Sequence, residues 1–135
     1  MARVVRTAID AGAVVESVAR CDAGAVLTFS GDVRNHHLGR EVTGIDYHAY
    51  ERMALKEMNK IEREVEVRWP NCRVQIVHRL GLLSPGETSV FIAVASPHRK
   101  EGFEALRYTI DTLKETVPIW KKEIYSDGYS WIEGS

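Results

Sequence analysis

At 135 residues, 44% of them hydrophobic and 27% charged, the sequence suffices for one core and is too short for two ordinary domains, so a single domain over residues 1–135 is expected. A formal net charge of -1 argues against binding nucleic acid through bulk positive potential and confines any basic function to a local pocket. Cys21 and Cys72 fit no CxxC or Cys/His ligand pattern, residues 1–7 lack the apolar core of a signal peptide, and no apolar run approaches the ~20 residues of a membrane helix, so a reducing cytoplasm is the expected setting.

Residues 3–9 read as a short strand, and Asp10 is placed to cap a brief amphipathic helix over 11–19. Residues 24–30 (GAVLTFS) are apolar and β-rich and run into Gly31 and a polar loop over 32–40. Extended character resumes over 42–50. Residues 51–69 then read as a helix, because Ala54, Met58, Ile61 and Val65 recur at helical spacing, while Lys60/Glu64 and Glu64/Arg68 form i,i+4 pairs on the wet side. Pro70 stops it.

Residues 72–79 alternate, with Cys72, Val74, Ile76 and His78 on one face. Ser84-Pro85-Gly86-Glu87 has the composition of a type II turn. Residues 88–95 (TSVFIAVA) are apolar on both faces, as a central strand covered on both sides would be. A second long helix is expected over 99–117, with Phe103, Leu106, Ile110, Leu113 and Val117 as its apolar stripe, ended by Pro118. Residues 119–125 and 129–132 make a hairpin about Asp127-Gly128. Hairpins mixed with two long helices give an α+β fold with a mixed or largely antiparallel sheet.

Three segments concentrate cations or imidazoles where the chain enters or leaves a regular element: residues 29–39 (FSGDVRNHHLG), 95–100 (ASPHRK) and 113–123 (LKETVPIWKKE). Such positions let a rigid scaffold aim side chains at one ligand, and the expected ligand is an anion. Arg34 can hold a phosphate or carboxylate with a bidentate fork. His98 and Arg99 open a helix, where free N–H groups and the helix dipole favour negative charge. Lys114 lies in a last helical turn, a place that suits a cation for structural reasons alone. In the extended stretch after it, Trp120 and Ile124 share one face and Lys121 and Glu123 the other, so Lys121 is expected to point away from apolar neighbours and to meet Lys114 across the Pro118 break. Two ammonium groups in one pocket repel and depress at least one pKa. His36 and His37 have no third ligand at useful spacing, so no metal is expected, and His78 reads as a hydrogen-bonded core histidine. Spacing alone leaves the substrate and reaction open.

These residues resemble a known family. The three segments, together with VHRLG at 77–81, SPGE at 84–87, GFEA at 102–105 and Trp131 after the hairpin, are similar in order and content to the large, catalytic subunit of molybdopterin synthase, the MoaE family, over residues 24–133. The resemblance implies an α/β hammerhead fold with a small extra β subdomain. It also implies conversion of cyclic pyranopterin monophosphate into molybdopterin, with sulfur taken from the C-terminal Gly-Gly thiocarboxylate of a small ubiquitin-like sulfur-carrier partner. By the same resemblance Lys114 lies beside the partner's tail and Lys121 beside the pterin. Arg34, His98 and Arg99 bind phosphate and pterin, Lys122 and Glu123 edge the pocket, no cofactor takes part, and two large subunits pair at the centre of a heterotetramer. Asp32 makes the first loop less positive than in some members. The alternative, from a different functional class, is a non-catalytic module binding a phosphorylated metabolite or nucleotide.

Overall fold

The computed structural model describes residues 1–134. In chain order the elements are β1 (Arg3–Val5), α1 (Ala11–Val18), β2 (Ala25–Asp32), β3 (His36–His37), β4 (Arg40–Ala49), α2 (Glu51–Arg68), β5 (Arg73–Arg79), β6 (Gly81–Leu83), β7 (Thr88–Ser96), α3 (Arg99–Thr116), β8 (Ile119–Tyr125) and β9 (Gly128–Glu133). They form a mixed α+β structure with two sheets. The first has the order β1-β5-β7-β2, with β1 parallel to β5 and the other pairs antiparallel. The second runs β3-β4-β8-β9, and β6 pairs with β4 beyond the end of β3. No helix among the described residues is long and apolar enough to cross a membrane.

Strand β7 is buried from Ser89 to Ser96, because α1 covers one face of the first sheet while α2 and α3 cover the other. Its unbroken apolar run is what a doubly covered strand requires. On the α1 side Val14 and Val18 meet Val77, Phe91, Ala93 and Ala95. The larger core lies on the other side, where Ala54, Met58, Ile61 and Val65 of α2 pack with Val74 and Ile76 of β5, Ile92 and Val94 of β7, and Ile119 and Tyr125 of β8. Asp10 caps α1 as expected, its Oδ1 accepting from the Ala13 N–H at 3.1 Å. Gly86 supplies the positive φ, 91°, of the 84–87 turn.

Several expectations are corrected. The first strand stops at Val5 rather than reaching residue 9. The polar loop after β2 contains β3, which pairs with β4 through a two-residue turn at Leu38 and Gly39, both at positive φ. That is the turn geometry that matches strand twist, here without the usual Asn-Gly signal. The hairpin between β8 and β9 turns at residues 126–127, one position earlier than expected. On α2, Glu64 accepts from Tyr108 Oη at 2.7 Å, and Arg68 lies over the rings of Trp69 and Tyr108.

The buried stripe of α3 is Gly102, Ala105, Thr109 and Leu113, while Phe103 is 62% exposed. Small residues face inward because the helix lies close against β2: a Cβ on Gly102 would sit 2.3 Å from Leu27 Cδ1. A related constraint sets the approach to α3. A Cβ on Gly24 would lie 2.6 Å from the carbonyl oxygen of Pro97, a backbone atom next to His98. Gly24→Ala is therefore expected to lower stability by about 1–3 kcal/mol, read as a lower urea midpoint with unchanged slope; an unchanged midpoint would mean that the 97–98 segment yields without cost.

Candidate functional site

Antiparallel pairing of β4 with β8 places Tyr47 opposite Lys121 and Ile45 opposite Glu123. Directly opposed residues project to the same face. Lys121 and Glu123 therefore share the face of Ile119 and Tyr125, which is the core side, and Lys121 is only 21% exposed in its side chain. The alternation along β8 is as the sequence predicts, but the lysine's face is the buried one. The opposite face carries Trp120, which stacks on His48, and Lys122, whose Nζ lies 4.3 Å from the ring centre of Tyr129. Lys122 thus stands across the strand from Lys121.

Glu123 is 4% exposed, inside the cluster rather than at its edge. Its Oε1 contacts His37 Nδ1 at 2.6 Å and accepts from Tyr125 Oη at 3.0 Å, while its Oε2 is 3.9 Å from Lys121 Nζ. Three partners on three different residues are what make a carboxylate tolerable at this depth. The contact with His37 also fastens the first basic segment to the third. His36, its neighbour, points elsewhere, with Nδ1 2.8 Å from Asn35 Oδ1. Among the described residues no group of three or more His, Cys, Asp or Glu side chains could hold a metal ion. Asp32 accepts from the hydroxyls of Ser30 and Thr88 at 2.6 and 2.8 Å, which commits it to the end of the β2–β7 ladder.

Lys114, in the last turn of α3, borders an open cavity of about 530 Å³ with Tyr50, Pro118, Trp120 and Glu133. Lys121 is not among the cavity's walls. Partial burial, reinforced by the charge of Lys121, lowers the pKa of Lys114.

Behind them lies His78, fully buried on β5 and meeting Tyr47 edge-on at 5.5 Å between ring centres. Its Nδ1–H donates to the Arg79 carbonyl at 3.0 Å, and its buried Nε2 has no hydrogen-bond partner. Burial pushes its pKa down to about 4, with the Lys114 and Lys121 charges acting in the same direction. Tyr47 is shifted the other way, its phenol raised mainly by burial. The sequence places His78 on the core face correctly. Its nearness to the lysines depends on β4 and β8, which pair with each other across more than seventy residues of chain.

The three basic segments do not converge within one chain. Arg34, exposed just after β2, and His37 lie at the Glu123 end. His98 and Arg99 begin α3, fifteen residues before Lys114, or about 22 Å along the helix axis at 1.5 Å per residue. They also lie past the far end of β7 from Arg34, a strand about 26 Å long.

The pKa of His78 gives a stability test. Between its folded value of about 4 and its ordinary 6.5 the unfolded chain binds the extra proton, so stability falls as pH drops through that window, by up to about 3 kcal/mol. Glu62, whose carboxyl is raised by burial, acts in the opposite sense, losing stability as pH rises through its folded value. Urea unfolding at pH 7 and 4.5 should show His78→Gln losing less stability on acidification than the parent; equal losses would place the acid sensitivity elsewhere.

The profile of the MoaE protein family matches residues 4–116. A molybdopterin synthase catalytic subunit of Taeniopygia guttata is 49% identical over 126 residues, covering 93% of this chain and 81% of that protein. The crystal structure of molybdopterin synthase from Staphylococcus aureus superposes with a TM-score of 0.92 at 41% identity, covering 95% of this chain and 93% of that one. A chain from the complex of subunits 1 and 2 of the Helicobacter pylori molybdopterin-converting factor shares the fold, with a TM-score of 0.81 at 21% identity over 96% of this chain and 88% of that one.

Proposed function

Since this chain belongs to the MoaE protein family, whose relatives are molybdopterin synthase catalytic subunits, we propose that it builds molybdopterin by sulfur transfer onto cyclic pyranopterin monophosphate. The observation that carries this reading is the pair Lys114 and Lys121, held in one electrostatic environment on either side of the Pro118 break. The donor is a thiocarboxylate at the C-terminus of a small ubiquitin-like subunit. The relatives' designation as a catalytic subunit, and the two-subunit complex of the Helicobacter pylori protein, support such a companion.

The open cavity beside Lys114 suits an extended, side-chain-poor tail, and the resemblance sets Lys121 beside the pterin. In each delivery the thiocarboxylate sulfur forms a carbon–sulfur bond on the substrate as a carbon–oxygen bond breaks, to the cyclic phosphate in one delivery and to the hydrated keto carbon, which releases water, in the other. Water then cleaves the acyl–sulfur bond, leaving a carboxylate on the tail and a thiolate on the product, and two such deliveries make the dithiolene. Negative charge develops on the acyl oxygen and on the phosphate oxygens as the cyclic ester opens. Two ammonium groups placed there stabilise that charge, and one of lowered pKa can also return a proton. Glu123 holds Lys121 nearby by charge, and Arg34, exposed after β2, meets the phosphate. Lys122, on the other face of β8, serves the rim through the aromatic surface it covers.

His98 and Arg99 serve the same substrate from a second copy. One small molecule beside Lys121 is out of reach of the opposite end of α3, whereas a dimer can set that end of one chain against the lysines of the other.

Two measurements test this reading. With a thiocarboxylated partner and the pterin precursor, Lys114→Ala and Lys121→Ala should each lower turnover by about 10²-fold or more while circular dichroism keeps the spectrum of the folded chain, with Lys121→Ala melting below the parent because buried Glu123 loses a partner; near-normal turnover in either folded variant would remove its assigned role. Equal mixtures of Lys121→Ala and Arg99→Ala dimers, exchanged to equilibrium, should recover about a quarter of parental activity, because half the dimers are hybrids with one intact site of two. No recovery above the separate variants would mean that Arg99 of one chain does not complete the Lys121 site of the other.

A further inference from the structure

We propose that His78 is a positioning residue for Lys121: when the pocket is occupied, its buried Nε2 accepts a hydrogen bond from the Lys121 ammonium and draws that ammonium away from Glu123. The proposal rests on the reading of Lys121 as a reacting-site lysine and adds a residue to that site.

Geometry carries it. Donation from Nδ1 to the Arg79 carbonyl fixes the tautomer and leaves a lone pair on Nε2, which is buried without a partner. A buried acceptor left unmatched is unfavourable, and the surrounding groups decide what can match it. Those acting on it are Tyr47 on β4, which meets its ring, and the charges of Lys121 on β8 and Lys114 on α3. Arg79, on its own strand, is turned to Glu87, with Nη1 3.0 Å from Oε2. Tyr47 presents its ring to His78 edge-on, and Lys121 stands directly opposite Tyr47 in the β4–β8 register, projecting to the same side.

Lys121 is also able to move. Its contact with Glu123, at 3.9 Å, is an ion pair beyond hydrogen-bond length, so the ammonium is held in place by charge without a fixed donor direction. An imidazole that stays neutral accepts such a donor without adding a third positive charge to the pocket. A protonated histidine there would offer no acceptor at all and would repel both lysines. The depressed pKa of His78 is consistent with this arrangement.

The test compares His78→Asn, whose amide can still donate to the Arg79 carbonyl but cannot reach the Nε2 position, with His78→Gln, which sets an amide oxygen near that position. In the full chain, with partner and precursor, His78→Asn should lose about tenfold or more in kcat with KM within about twofold, and His78→Gln should recover most of that loss. Lysine side-chain ¹⁵N titration in the presence of inorganic phosphate should place the Lys121 pKa about half a unit or more lower in His78→Asn than in the parent, since an acceptor favours the charged ammonium. Should the Asn variant not fold, imidazole ¹⁵N spectra decide the matter without it: the parent's Nε2 resonance moves upfield when phosphate is added, and does not move in Lys121→Ala.

An unmoved Lys121 titration, equal impairment of the Asn and Gln variants, or an Nε2 resonance indifferent to phosphate would each overturn the positioning role. If the parent makes no product with partner and precursor, the functional reading fails, and the two spectroscopic readouts still decide whether His78 accepts from Lys121.

Discussion

A carboxylate buried to 4% exposure is the constraint on which this site depends. A carboxylate at that depth is costly without partners, and His37, Tyr125 and Lys121 approach Glu123 from different directions. Each partner has a structural consequence. His37 anchors the short β3 hairpin, Tyr125 joins the carboxylate to the main core and to Arg40, whose guanidinium lies 3.7 Å from the ring centre, and Lys121 acquires a defined place among apolar neighbours. Without the carboxylate, a lysine on the core face of β8 would be an unmatched charge, so the proposed catalytic group and its acidic neighbour form one device.

The two sheets have different tasks. The first, with β7 at its centre, is closed on both faces and supplies rigidity. The second has only one buried face, and the chemistry-bearing side chains lie along the boundary between them. Strand β5 leads into that boundary: His78 ends its core-facing series, and two residues after Arg79 the chain has already joined the other sheet at β6. Charge at this boundary is set by one acid, two ammonium groups and a histidine kept neutral by burial.

Local features of this layout were legible in the sequence, and the long-range ones were not. Helix α2 was readable because Ala54, Met58, Ile61 and Val65 mark one face without ambiguity, and the face shared by Val74, Ile76 and His78 followed from simple alternation. The stripe on α3 was misjudged because Phe103 outranks Gly102 in hydrophobicity, whereas the close approach of β2 selects the smaller residue. The β3 hairpin escaped notice because Leu38-Gly39 lacks the composition usual in such turns, and β6 because three residues are too few to show a period. The face of Lys121 was inverted for a deeper reason. Alternation tells which residues share a side, but only the pairing with β4 and the partners of Glu123, one of them 86 positions away, tell which side is inside. Arg34, His98, Arg99, Lys114 and Lys121 were singled out by type and spacing, Lys122 and Glu123 only by the resemblance; that His98 and Arg99 lie at the other end of α3 from Lys114 bears on the site only once the ligand's place is given.

The alternation along β8 sets a limit on how this sequence can change. Trp120, Lys122 and Ile124 occupy one face and Lys121, Glu123 and Tyr125 the other, in a strand paired on both sides from β4 to β9. Because side chains repeat every two residues, loss or gain of a single residue after Pro118 would exchange the two sets, burying an indole where the ammonium belongs and leaving the carboxylate on the aromatic surface. The outer face can accept new side chains one at a time, but the length of this strand cannot vary by one. Drift in this segment is therefore confined to substitution, with insertions and deletions left to the hairpin tip at residues 126–127.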